Sequence, residues 1–337
     1  MINVKSERGI SIATGQIVND VFYFVSYSNP GLFAKRMDGT SEICIGKLDC
    51  LENEKLYYDS VLYKGKIFFI PNLGNNRLMI YDTTISKIGY YYIELRETAD
   101  DFVMYYVDGN ILTLVTNVYK IDFDMDIEKP IAKNLLGIDV CGTLPAPRFV
   151  RVLHYDNCLC FCPYAIDRIP ILDLATYEVK YSDISIEKKV YFAVLMIEDT
   201  IVWLPQKLIN PIICYNVTMG RFVSHNCYRN GLDDTYGVAV VTSQQNVLLI
   251  PASGNKILNL STSTWKIEVF DTLNCEIGER NVAYYRSTKI SCTSSIVTSS
   301  NDNIPCLFFD GCNLKKWELG ERTDELQVFL DIILHSS

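Results

Sequence analysis

Histidine is scarce: the chain of 337 residues has three, His154, His225 and His335. A general base needs a partner and a pocket, and no spacing in the sequence supplies either for any of them. Only His154, on a predicted inner strand with Arg151, is carried forward as a candidate catalytic group, against the plainer reading of a satisfied structural histidine. Local catalytic signatures are absent too: there is no phosphate-binding P-loop, no G-x-S-x-G elbow and no zinc-protease helix motif. Sites assembled from single residues far apart in sequence leave no such signature.

Long apolar runs are also missing. The longest, such as Val190 to Ile197, fall far short of the ~20 residues a membrane helix needs, so no membrane insertion is expected. Basic blocks are absent: Asp and Glu number 40 against 31 Lys and Arg, a net charge of -9, with the two signs mixed along the chain. That argues against a nucleic-acid partner, which requires a cationic footprint, and against docking on an anionic membrane. The first twenty residues carry Lys5 and Arg8 but no apolar core of signal-peptide length, so the expected location is cytoplasmic.

What the chain has is apolar β-forming sequence: 49% of it is hydrophobic, enough for a large core. Twelve cysteines could suggest a disulfide framework, but that device suits short secreted chains with little core. Most sit within apolar strand patterns, as Cys44, Cys214 and Cys306 do, and are expected as reduced, buried thiols.

One pattern recurs: a turn residue, four or five apolar β-formers, often Pro, a polar loop, a second apolar run, then Asp or Asn. The clear copies begin at Gly65, Asn157, Thr200 and Asn246 and reach Pro71, Pro163, Pro205 and Pro251. Weaker copies end at Val25, Val115 and Phe309. Successive differences among positions 25, 71, 115, 163, 205, 251 and 309 are 46, 44, 48, 42, 46 and 58, so the seventh copy is read as carrying an insertion. Four short strands fit one period, as in 57–63, 66–70, 77–81 and 87–92. Four strands per repeat of this length make a propeller blade. The expected fold is therefore an all-β, seven-bladed β-propeller of four-stranded antiparallel blades in one domain over 1–337. Its blades fall near 8–50, 55–95, 100–135, 147–185, 188–228, 233–272 and 280–335. The segment 324–334 reads as the outermost strand of the last blade, with a helix as the alternative.

The corner between strands three and four repeats as well: Asp82 with Ile88, Asp173 with Val179, Asn216 with Phe222, and Asn259 with Trp265, each six apart. Asp and Asn bond their own backbone two residues on and nucleate the turn. At Asn259-Leu260-Ser261-Thr262-Ser263-Thr264-Trp265 the chain resembles divergent, bacterial-style kelch-like propellers. The paired glycines of kelch blades are replaced by prolines near the end of strand two.

Chain direction places the strand-two-to-three loops and the segments entering strand one on the same end of a blade. The candidate binding residues of that end are Asn75, Arg77, Tyr164, Asp167, Arg168, Lys207, Asn210, Asn255 and Lys256, with Tyr58, Asp59, Asp101, Asp234 and Tyr236 from the entering segments. Arg77, Arg168 and Lys256 are expected to ring one end of a funnel. This mixture of amides, cations, carboxylates and tyrosines suits a protein or glycan partner. A non-catalytic interaction module is the leading reading. The alternative is a carbohydrate-active lyase or hydrolase using carboxylates such as Asp59, Asp101 or Asp234 with His154; glycoside hydrolysis needs two carboxyls roughly 5 to 10 Å apart. The alternating Cys158, Cys160 and Cys162 point to one face of a strand and could gather a soft metal. Core packing is the simpler account of them, and neither a metal nor a cofactor is expected.

Overall fold

The computed structural model describes residues 12–317 except 27–30, 38–41, 49–55, 72–74, 94–103, 116–118, 136–148, 228–233, 278–283, 290–294, 300–305, 310–313 and the single positions 165, 189 and 244. Every regular element among them is a β-strand. The strands form seven antiparallel sheets in chain order, within 12–47, 57–92, 104–135, 149–181, 191–225, 235–277 and 284–317. Asp101 and the segment 324–334 lie outside the described residues.

The expectation of seven four-stranded blades is corrected to six: six sheets have four strands, and the sheet over 235–277 has three. The sequence reading assumed a loop between strands two and three of every repeat. In the sixth, Asn246–Ser261 is one continuous element whose first half pairs with Thr235–Ser243 and whose second half pairs with Lys266–Ile277. It doubles back near Gly254 (φ 101°), and the Thr262 N–H donates to the Gln245 carbonyl at 2.8 Å.

The last copy is also corrected. Phe309 ends the third strand of its sheet, Cys306–Phe309; strand two is Ser295–Ser299, and Ser299 pairs with Tyr284 as Pro251 pairs with Tyr236. From 251 to 299 is 48 residues, so the inferred insertion disappears. Cys306 to Phe309, a strong apolar run, drew the alignment away from the more polar SIVTS of the true strand two.

The chain divides into two compact units, one of residues 1–90 with 281–337 and one of residues 91–280. Within a sheet, burial falls from the second and third strands outward. In the second sheet Lys66–Pro71 is buried at every position but its first, whereas the outer Lys87–Tyr92 is half-buried or exposed throughout. Strands covered on both faces read as continuous apolar runs, and this is why the second strands were the most legible elements.

Three local devices repeat. Strand-one-to-two turns use positive φ, at Asn19 (49°) with Asp20 (61°) and Lys64 (46°) with Gly65 (75°), the twist a two-residue hairpin prefers. Pro71, Pro163, Pro205 and Pro251 face Tyr57, Phe149, Tyr191 and Tyr236 in register, each beside a register shift. Proline cannot donate to the ladder, so an irregularity is accommodated there.

The third device is the strand-three-to-four corner. Asp82 Oδ1 accepts from the Thr84 and Ile85 amides at 2.9 and 3.4 Å, Asp173 Oδ1 from those of Ala175 and Thr176 at 2.7 and 3.0 Å, and Asn216 Oδ1 from that of Met219 at 2.7 Å. Asp124 adds a copy, accepting from the Asp126 and Ile127 amides. In the sixth sheet the equivalent residue is Ser261, which pairs with Lys266 as Asn216 pairs with Arg221. The pair Asn259 and Trp265 is therefore two residues out of step with the other corners.

Candidate functional site

In the unit of residues 91–280, the end bearing the strand-two-to-three loops is tied together by backbone hydrogen bonds. The Ile186 amide donates to the Asp167 carbonyl at 2.9 Å, the Gln206 amide to Val190 at 2.6 Å and the Tyr236 amide to Gln206 at 2.7 Å. Ser182, buried, accepts the Ile169 amide at 3.1 Å and donates its hydroxyl to the Ile184 carbonyl at 2.8 Å. The segment joining the fourth and fifth sheets is thus held along the loop that precedes it, and the fifth sheet's loop is pinned to the start of the sixth. Such loops cannot move independently.

Side chains divide by role. Asp234 accepts the amides of Asn255 and Lys256 at 3.0 and 2.8 Å, and its carboxylate packs against Gly254, where an added Cβ would fall 2.2 Å from Asp234 Cγ. Tyr236 is fully buried and its hydroxyl has no hydrogen-bond partner among the described residues; burial first, then Asp234, raises its pKa. Tyr191, which faces a proline in the same register, instead donates its hydroxyl to the Pro211 carbonyl at 2.8 Å. The fifth sheet's longer loop supplies that acceptor. In contrast, Asp167, Arg168 and Lys207 are exposed, and Tyr164, Asn210, Asn255 and Lys256 are half-buried. Two residues that sequence reasoning missed complete this end: Leu208, 1% exposed, anchors its loop in the core, and Ile209, 67% exposed, stands beside it. An apolar pair inside a polar loop was their signal in the sequence.

The unit containing the second sheet repeats the division. Asn75 is buried, donating to the Leu56 carbonyl at 2.6 Å and accepting the Arg77 amide at 3.1 Å. Tyr58 is buried, and Asp59 accepts the Ser60 amide at 2.9 Å. Arg77 is half-buried.

His154 stacks on Tyr106, ring centroids 4.5 Å apart. Beneath it Thr113 donates to Asp122 at 2.7 Å and Lys120 reaches the other carboxylate oxygen of Asp122 at 3.1 Å. Burial raises the Tyr106 phenol's pKa, and its interactions with Thr113 and Lys120 act in the opposite direction. These groups satisfy one another across three strands of the third sheet, an arrangement that fixes packing between sheets.

Cys158, Cys160 and Cys162 share one face, as the alternation predicted: all three join the apolar cluster containing Tyr191 and Trp203. Burial pushes the Cys160 and Cys162 thiols up to about 12. Cysteines 44, 158, 160, 162, 214 and 227 are thiols and form no disulfide. No group of three metal-ligating side chains occurs among the described residues.

No family model matches the chain, and no curated protein matches it by sequence. Solved structures do resemble it. Virginiamycin B lyase from Staphylococcus aureus aligns at TM-score 0.62 with 12% identity, over 90% of this chain and 95% of that one. The extracellular domain of a putative one-component system from B. thetaiotaomicron aligns at 0.63 with 11% identity, over 94% of this chain and 40% of that one. BamB from Moraxella catarrhalis aligns at 0.51 with 13% identity, over 88% and 82%. At such identities the likeness establishes the β-propeller fold alone, and the kelch-like resemblance is narrowed to that broader class.

Proposed function

We propose that this chain is an interaction module that binds a protein partner on the loop end of the fourth and fifth sheets. The observation that carries the reading is Ile209, exposed on a loop anchored by Leu208, with the exposed charges Lys207 in the same loop and Asp167 and Arg168 in the corresponding loop of the fourth sheet. An apolar anchor inside a polar rim is the anatomy of a protein interface, and it fits a protein better than a glycan. The backbone bonds that cross-tie these loops mean that little ordering entropy remains to be lost on binding. Two of the carboxylates considered for catalysis, Asp59 and Asp234, are engaged with backbone amides.

A photo-crosslinking residue placed at Ile209 tests this, with Glu198, exposed at the opposite, strand-one-to-two end, as the control. A discrete crosslinked protein at 209 and none at 198 is the expected result. An identical pattern at both sites, or a product at 198 alone, would overturn the assignment.

A further inference from the structure

A cavity of about 500 Å³ opens between the first and second sheets, within the unit of residues 1–90. It is of ligand size. Eight described residues line it. Val21, Ala34 and Ile45 are apolar; Tyr23 and Tyr81 bring their rings to 5.3 Å of each other; Arg36 and Ser86 add polar atoms, and Cys44 completes the wall. Among the described residues no carboxylate lines it, and their one formal charge is Arg36. The Cys44 thiol is engaged with the Leu32 carbonyl at 3.7 Å.

The chain's own repeat shows which residues change at this place. Arg36 pairs with Val21, the first residue of its second strand, as Asp82, Asp173 and Asn216 pair with Lys66, Cys158 and Thr200. Arg36 therefore stands where the other sheets place the acidic or amide corner residue. Between the fourth and fifth sheets the equivalent positions are bridged by a lysine. Lys180 lies 5.2 Å from the ring centre of Tyr215 and donates to the Gly220 carbonyl at 3.0 Å. The places of Tyr215 and Gly220 are taken in the second sheet by Tyr81 and by Ser86, the latter also at positive φ. The register place of Lys180, opposite Ile171, is taken in the first sheet by Ile43, opposite Ala34. One recess thus has an acidic corner residue and an internal ammonium. The other has a basic corner residue, with Ile43 at the register place of that ammonium.

We infer that the cavity between the first and second sheets binds a small organic acid, its carboxylate at Arg36 and its apolar body over Tyr23 and Tyr81. A guanidinium presents five N–H donors in a planar fork, so Arg36 can take a carboxylate while keeping the contacts it has. The phenols and the Ser86 hydroxyl supply further donors, and the apolar wall covers an aryl or alkyl group.

The test uses 4-phenylbutyrate and its uncharged amide as probes on the full chain, followed by ligand-observed NMR and calorimetric titration. The acid should bind at least tenfold more tightly than the amide. Arg36→Gln should abolish that difference while leaving the melting temperature unchanged, and Arg36→Lys should restore part of it. Equal affinity for acid and amide, no binding of either, or undiminished acid binding by Arg36→Gln would overturn the inference.

Discussion

At Gly254 two constraints coincide: a φ of 101°, which L side chains rarely adopt, and the Asp234 carboxylate in the space a Cβ would fill. Gly254→Ala should lower stability by about 2 kcal/mol or more in urea unfolding, from backbone strain and displacement of the carboxylate together. Adding Asp234→Ala should cost less than the sum of the two single changes, because the clash then has no partner. Simple additivity would show that the contact is unimportant. The thiols supply a second prediction. Cys160 and Cys162 are pushed by burial from 9.0 to about 12, so folding holds them protonated where the unfolded chain would ionise them. A raised folded pKa leaves stability intact below pH 9 and erodes it as the pH climbs from about 9 toward 12. In the native protein at pH 8 both should resist iodoacetamide and react once unfolded; rapid native labelling of either would contradict their placement in the core.

Strands and turns were legible to different degrees, for physical reasons. Lys66–Pro71, Cys158–Pro163 and Thr200–Pro205 are buried on both faces, so their apolar runs stand out whatever surrounds them. The Asp and Asn corners were readable because a side-chain acceptor must precede the amides it caps. Register was harder. Asn259 was preferred to Ser261 because an amide looks like the other corners, although Ser261 holds the position and bonds Ser263 at 3.0 Å. The continuity of Asn246–Ser261 left no mark that distinguishes it from two strands and a loop. Contacts between neighbouring sheets were invisible altogether: the Trp203 indole donates to the Phe161 carbonyl across 42 residues, at 2.9 Å.

At the scale of the whole molecule, residue type alone did not separate loop side chains that brace the backbone from those that face outward. Asn75, Asp59 and Asp234 have the residue types of a binding rim and serve the backbone instead, whereas the apolar pair Leu208 and Ile209 is too short to form a strand pattern or a motif and so marks its loop only weakly. The propeller likeness to a lyase, an extracellular domain and BamB shows the fold alone, and the proposed interface rests on the surface side chains Arg168, Lys207 and Ile209. Exposed charges contribute roughly 0 to 1 kcal/mol each to folding, so their reversal separates binding from stability. The decisive measurement is the affinity of the protein crosslinked at position 209 for the Arg168→Glu, Lys207→Glu double variant, alongside its melting temperature. The account predicts an unchanged melting temperature and at least a tenfold loss of affinity; undiminished binding by a folded double variant would contradict it.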